Sequence, residues 1–215
     1  MDASELNDIR TIFNKRKGEI EERLKEFRLV LKRNNPRELF GELAFCLLTP
    51  QSRAKTCWAA IERLKKTGIL YDGSAPEIEK HLTGVRFKRN KSRYIEEARE
   101  KFLKDNRFTL MENIASRSPH EAREWLVKNV KGMGMKEASH FLRNIGLGED
   151  LAILDRHILK NLKALKVIRD IPASISPKKY LNIEERMRKF SRDIGIPMSV
   201  LDLVFWCRET GEIFK

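Results

Sequence analysis

The residues best placed to do chemistry lie between Trp125 and Ile158. Gly132 and Gly134 flank Met133, and two glycines two apart allow a positive φ and a very tight turn. The N–H groups of Gly134 and Met135 would then open a helix, and free N–H groups at a helix N-terminus attract phosphate. Lys128, Lys131 and Lys136 set positive charge around the turn. Such an arrangement makes a sequence-independent contact to a nucleic-acid backbone. It reads equally as a structural turn between two helices. Asp155 follows Lys136 by 19 residues, at the start of another helix, with His157 two further on. A carboxylate in that position can serve simply as a helix cap. His120 and His140 read as ordinary helix residues. No His, Cys, Asp and Glu cluster has metal-ligand spacing, so the reading calls for no metal held by side chains.

The elements that must position these residues are helical almost throughout. Leu6, Ile9, Ile12, Phe13, Ile20, Leu24 and Phe27 form a long apolar stripe, which Gly18 is expected to weaken. Pro36 suits the first turn of a second helix, whose apolar run stops before Pro50. A third helix ends at Gly68, a short turn of helix covers Glu77 to Leu82, and residues 91–105 read as a polar, exposed helix. Ser118 with Glu121 makes a capping box opening the helix before the glycine turn. Later helices fall near 155–165, 177–194 and 198–209, with a loop from Arg169 to Lys179. No strand pattern stands out. The expected fold is all-α, with about ten helices.

Composition narrows the partner. The chain has 215 residues and carries 44 Lys plus Arg against 31 Asp plus Glu, a formal charge of +13. With a pI near 9.8, a polyanion is the natural partner, nucleic acid first. No apolar run approaches a membrane span, and the acidic, helical N-terminus lacks a signal-peptide pattern. The three scattered cysteines exclude a disulfide framework and fit a reducing, cytoplasmic compartment. Gln51 is the one glutamine among abundant Lys, Arg and Glu, a composition that favours a thermophilic source.

Val130 to Ala138 resembles the helix–hairpin–helix motif, with Lys131 in place of its usual proline and Met133 in place of its usual valine. Together with Lys136, Asp155 and His157 it is similar to the endonuclease III and 8-oxoguanine glycosylase superfamily of DNA repair enzymes. The resemblance makes Lys136 a nucleophile and Asp155 an electrostatic stabiliser. Breaking an N-glycosidic bond builds positive charge on the sugar, which a carboxylate stabilises. A neutral lysine amine can attack C1′ and form a Schiff base, and desolvation favours the neutral amine. The simpler alternatives are Lys136 as a phosphate-bound surface lysine and Asp155 as a cap only. His157 reads as structural or as a phosphate contact.

Within the superfamily, four C-terminal cysteines would signal an iron–sulfur cluster, and Cys207 stands alone there. A larger relative's N-terminal β-domain finds no room. The remainder resembles the compact archaeal-type, second-family 8-oxoguanine DNA glycosylase/AP lyase, from about Leu39 onward. The resemblance makes Gln51, with Ser52 and Arg53, a loop that fills the gap left by a flipped nucleotide. It makes Trp206 a stacking platform for the base, and the carboxylate of Lys215 a reader of guanine's Watson–Crick edge. Phe87, in a basic stretch, is either the other face of a base sandwich or a helix anchor. The superfamily hairpin often holds an ion on backbone carbonyls, here those of Lys128, Val130 and Met133.

The resulting expectation is two helical lobes, 36–166 with the hairpin at about 123–145, and 1–35 plus 167–215, with the active site in the cleft between them. The DNA-contacting set is Gln51, Ser52, Arg53, Lys128, Lys131, Gly132, Gly134 and His157. A monomer acting without cofactor on double-stranded DNA containing oxidised guanine is expected. An oxidised-pyrimidine glycosylase/lyase and a non-catalytic DNA-binding protein remain the alternatives.

Overall fold

Glycine costs a helix about 1 kcal/mol, yet the first helix, α1 (Ala3–Arg33), runs straight through Gly18. Ile9, Ile20, Leu24 and Phe27 bury one face of α1, and tertiary packing of that face outweighs the local propensity. The computed structural model describes residues 3–105 and 107–215.

α2 (Pro36–Leu48) starts where Asn35 caps it, its side-chain oxygen accepting from the N–H groups of Arg37 (3.0 Å) and Glu38 (3.1 Å). From Leu39 to Leu48 every residue of α2 is buried, which fits an apolar run with no polar face. α3 (Ala54–Thr67) stops at Gly68, in the left-handed region. Two short helices, α4 (Ile69–Asp72) and α5 (Ala75–Lys80), lead to α6 (Lys88–Phe102). α6 is not the exposed helix its composition suggests. Its inner face buries Ile95, Ala98 and Phe102 together with Lys91 and Arg99. Those two cations enter the interior because carbonyls receive them, as when Arg99 donates to Gly73 O at 2.6 Å.

A two-residue hairpin, β1 (Leu103–Lys104) with β2 (Arg107–Phe108), pairs antiparallel with Leu103 opposite Phe108. It is too short for an alternating pattern to betray it. After α7 (Leu110–Ile114), α8 (Pro119–Asn129) opens on the expected Ser118–Glu121 capping box. α9 (Met135–Asn144), α10 (Arg156–Ala164), α11 (Pro177–Ile194) and α12 (Met198–Thr210) complete the chain. The described residues thus hold twelve helices rather than about ten, the extra ones being short.

Two apolar cores form. The first gathers α2, α3, α6, α8 and α9; the second gathers most of α1 with α10, α11 and α12. The division falls between Leu151 and Ala152, so α10 packs with the C-terminal helices rather than with residues 36–151. α1 spans both, with Phe27 in the second core and Val30 in the first.

One buried polar network ties the cores together. Arg123 of α8 and Glu184 of α11 are both 1% exposed and pair through two bonds, at 2.6 and 3.0 Å. Glu184 also accepts from the Ala152 N–H at 2.8 Å, and Tyr180 Oη donates to Ala152 O at 2.6 Å. Arg123 further donates to Ser139 of α9 at 3.2 Å. Removing one partner of such a pair leaves a buried charge uncompensated. Glu184→Gln should therefore lower unfolding free energy by about 3 kcal/mol in urea titration; a loss below about 1 kcal/mol would show that the pair does not hold the cores together.

Candidate active site

The hairpin before α9 turns at Gly132, with φ +82°. A Cβ there would sit 2.3 Å from the Tyr94 ring, so glycine is required for space as well as for φ. Met133 is buried in the first core and its N–H closes the turn on Val130 O at 3.2 Å. A cation on the hairpin carbonyls would share that oxygen. The Gly134 N–H, expected to face phosphate, instead meets Glu137 Oε2 at 3.3 Å. Lys131 pairs with Glu97 at 2.9 Å on the surface, and Lys128 is exposed. Lys128, Lys131, Gly132 and Gly134 lie outside the cavity described next.

That cavity, about 850 Å³, opens between the two cores. Lys136, Asp155, Trp206, Lys215, Gln51, Ser52, Arg53 and His157 all line it. Residues from four separate stretches of sequence therefore converge on one volume, of the size that enclosed ligand sites have.

Lys136 leaves the first turn of α9 into this space. Its Nζ donates to Thr49 Oγ1 at 3.0 Å and lies 3.2 Å from Glu137 Oε1. Asp155 caps α10 with Oδ1, which accepts from the N–H groups of His157 (2.8 Å) and Ile158 (2.9 Å). Capping holds the carboxylate rigidly at the cavity wall. The extended stretch before it is pinned by Glu184 and Tyr180 through Ala152. The buried network thus sets Asp155 in place from one side while Arg123 and Ser139 set α9 from the other.

His157 meets the Trp206 ring edge-on, centroids 5.1 Å apart, and props that indole against the cavity. Lys215 reaches away from the opening. Its ammonium bonds Glu42 and lies 3.7 Å from the centroid of Trp58. Burial depresses its pKa, and Glu42 opposes that shift.

Gln51 sits exposed in a turn with φ +53°, a strained conformation for a non-glycine residue. Lys91, buried in α6, holds the turn in shape: its Nζ donates to Leu48 O (2.7 Å), Pro50 O (2.6 Å) and Ser52 Oγ (3.1 Å). Ser52 Oγ also accepts from the Arg86 N–H at 3.0 Å. That bond ties the Gln51 turn to the next strained residue, Phe87, at φ +55°. Phe87 is 54% exposed, beneath Arg86, and does not line the cavity. Phe87 is therefore neither a buried helix anchor nor, outside this cavity, the other face of a base sandwich lining it; the ring stands at the rim under Arg86.

Three further residues form the cavity floor. Asp202 of α12 lies 3.5 Å from Arg143 of α9, both almost fully buried. Burial lifts the Asp202 pKa to about 6; Arg143 opposes the rise and Asp155 adds to it. His140 is buried there as well. Among the described residues, eight buried side-chain nitrogen and oxygen atoms lack a partner, and five belong to His140, Arg143 and Trp206 around this cavity. Such atoms are costly unless something completes them.

A family model described as 8-oxoguanine DNA glycosylase matches residues 20–196. The chain belongs to that family. It is 47% identical to the 8-oxoguanine DNA glycosylase/AP lyase of Fusobacterium nucleatum, over 98% of this chain and 97% of that one. It is 39% identical to the Methanocaldococcus jannaschii protein of the same name, over 91% of each chain. Among solved structures, M. jannaschii 8-oxoguanine glycosylase/lyase in complex with a 15mer DNA containing 8-oxoguanine superposes with a TM-score of 0.87 at 34% identity, covering 98% of this chain and 99% of that one. The Thermotoga maritima 8-oxoguanine DNA glycosylase superposes at 0.86, also 34% identical, covering 98% of each.

Reading this family member as a sequence missed His140, Arg143, Asp202, Glu137 and Lys91. Helical spacing held a signal for three of them. His140 and Arg143 stand four and seven residues after Lys136, and Asp202 four before Trp206, so each shares a helix face with a residue already singled out. Lys91 left no such sign, because its acceptors are main-chain carbonyls and a serine of a different element.

Asp202 makes the stability of this glycosylase family member pH-dependent with a definite sign. Its folded pKa, about 6, lies above the usual carboxylate range. The stability it contributes is full below about pH 4 and is lost as pH rises through about 6. Relative to Asp202→Asn, the wild type should thus lose stability across that window, read from urea midpoints at each pH; a flat difference would show that Asp202 does not titrate there.

Proposed function

We propose that the chain is a bifunctional DNA glycosylase/AP lyase that excises 8-oxoguanine from duplex DNA, with Lys136 as nucleophile and Asp155 as electrostatic stabiliser. The observation that carries this reading is the meeting of Lys136, Asp155 and Trp206 in one cavity, within the fold of a solved relative whose complex holds 8-oxoguanine DNA.

In this mechanism the lesion nucleotide leaves the helix and enters the cavity. The C1′–N9 bond lengthens and the base departs with its electron pair. Positive charge grows on the sugar, and the Asp155 carboxylate offsets it. The Lys136 amine, having given up its proton, bonds to C1′. Opening of the sugar ring at O4′ leaves a Schiff base. That cation acidifies the C2′ proton, whose removal expels the 3′ phosphate. A lysine rather than water at this point gives the second, strand-cleaving step its reason to exist. No step calls for a cofactor.

Trp206 supplies the stacking face, and Lys215, anchored by Glu42 and Trp58, closes the cavity at the base. Gln51 enters the gap in the duplex, on a turn that Lys91 keeps rigid. Phe87 meets the DNA from the adjoining rim. The net charge of +13 draws the duplex in. The protein works as a monomer in the cytoplasm on this reading. No helix among the described residues is long and apolar enough to cross a membrane.

Borohydride trapping on a duplex with one 8-oxoguanine opposite cytosine tests the reading. The wild type should give a covalent adduct with that duplex and none with plain guanine. Lys136→Gln should abolish the adduct and keep duplex binding within about threefold. Trapping of a thymine glycol duplex alone would transfer the same chemistry to oxidised pyrimidines. Undiminished trapping by Lys136→Gln would remove Lys136 from its role.

A further inference from the structure

The reaction proposed above leaves one proton without a destination. A lysine holds its amine as an ammonium ion far beyond neutral pH, its ordinary pKa being about 10.4. An ammonium ion has no lone pair, so Lys136 must lose a proton before its nitrogen can bond to C1′. A group within hydrogen-bond reach has to take that proton.

Asp155 is poorly placed for the task. Its Oδ1 is committed to the N–H groups of His157 and Ile158. Thr49 touches the amine but cannot keep a proton. Its hydroxyl accepts from Lys136 Nζ at 3.0 Å and donates to Cys46 O at 2.9 Å, so it orients the amine and no more.

Glu137 is the carboxylate that pairs with Lys136 among the described residues. Its Oε1 lies 3.2 Å from Nζ, with the glutamate side chain 13% exposed and the lysine 22%. Both residues line the cavity. Neighbours in sequence do not ordinarily face each other on a helix. Here the other oxygen, Oε2, is drawn back to the Gly134 N–H at 3.3 Å, in the capping box that opens α9. A Cβ on residue 134 would come within 3.0 Å of that oxygen, so the glycine leaves the carboxylate room. The cap occupies Oε2 and leaves Oε1 turned to the amine. With water in the cavity the pair rests as ammonium and carboxylate. A nucleotide that enters displaces water, which penalises both charges, and the pair sheds them by moving one proton.

We infer that Glu137 is a further catalytic residue, the base that takes the Lys136 proton once the nucleotide has entered. The inference rests on the proposed glycosylase/lyase reading and adds to it the path of the proton. An N–H bond of Nζ breaks, an O–H bond forms at Oε1, and the electron pair stays on nitrogen. That pair then makes the bond to C1′. The proton held by Glu137 and a second one from Nζ go to the two atoms that leave with electron pairs, the departed base and O4′. One proton remains on the Schiff base, and Glu137 ends as a carboxylate.

The test reads single-turnover rates of borohydride trapping across pH, on a duplex with a preformed abasic site and on one with 8-oxoguanine. Glu137→Gln keeps an oxygen for the Gly134 N–H, since a capping box takes Glu or Gln. It should therefore bind duplex within about threefold of the wild type. It should slow trapping on both duplexes by about 100-fold at neutral pH, the lower end of what a general base contributes. The gap should close as pH rises toward about 10, where solvent itself frees the amine. Glu137→Asp, a carboxylate on a shorter stem, should recover part of the loss.

A merely electrostatic neighbour predicts the reverse. Removing a carboxylate beside an ammonium ion favours the neutral amine. Trapping by Glu137→Gln that is unchanged or faster at neutral pH would thus overturn the assignment. So would a loss that stays constant across pH, which would place Glu137 in service of the helix cap alone. The other titratable groups around it are Cys46 of α2, Lys91 of α6, His140 of α9, Asp155 before α10, Asp202 of α12 and Lys215. They are common to the wild type and both variants, so the difference between profiles belongs to residue 137. A wild type that traps neither duplex would instead overturn the glycosylase/lyase reading itself, a result separable from the other two.

Discussion

The ion pair between Arg123 and Glu184 is the contact on which the rest of the arrangement depends. A buried pair repays its desolvation only when its remaining donors and acceptors are satisfied, and here they largely are. Glu184 accepts from Arg123 twice and from the Ala152 main chain, and Arg188 approaches it at 3.5 Å. Arg123 belongs to the helix before the hairpin, and Ser139, which it also touches, to the helix carrying Lys136. Ala152 belongs to the extended stretch that delivers Asp155. One carboxylate therefore references both proposed reacting groups to a common point. Apolar packing alone would leave the two cores free to slide, since it is non-directional; hydrogen bonds of fixed geometry are not.

Three of the cations that line the cavity stand beside a carboxylate, and Arg53, Arg86 and Arg156 line it as well. Lys136 stands beside Glu137, Arg143 beside Asp202 and Lys215 beside Glu42. The excess of cations over the whole chain thus extends to the cavity wall, while Lys136, Arg143 and Lys215 are each balanced by a neighbouring carboxylate. Five nitrogen atoms of His140, Arg143 and Trp206 are buried without a partner among the described residues. Recognition at that depth rests on hydrogen bonds, whose directionality can separate one purine from another.

The rim is built on a different principle. Gln51 and Phe87 both adopt positive φ, which costs a non-glycine residue about 1 to 2 kcal/mol. Such strain persists only where the surroundings over-determine it, and Lys91 and Ser52 do so with four hydrogen bonds between them and the two turns. The two exposed side chains are in this way held at a set spacing at the mouth of the cavity, ready to meet a duplex without first being ordered.

Much of this was legible in the residues themselves. The helical period, the Ser118–Glu121 box and the glycine hairpin are local features, governed by interactions a few residues apart, and they carried the fold class; Lys136 and Asp155 were singled out as a pair by the family resemblance. Gly18 misled because a local propensity of about 1 kcal/mol is overridden by burial of a long apolar face. The polar α6 misled because composition cannot show that Lys91 and Arg99 would find carbonyls inside. His140 looked ordinary for a related reason. Whether a buried ring is satisfied depends on what other elements bring to it, and α2, α12 and the last residues arrive from distant parts of the chain. Sequence alone determined the long helices and the all-α class; tertiary structure decided which polar groups were left without partners, because hydrogen bonds between remote elements are settled only when the cores pack.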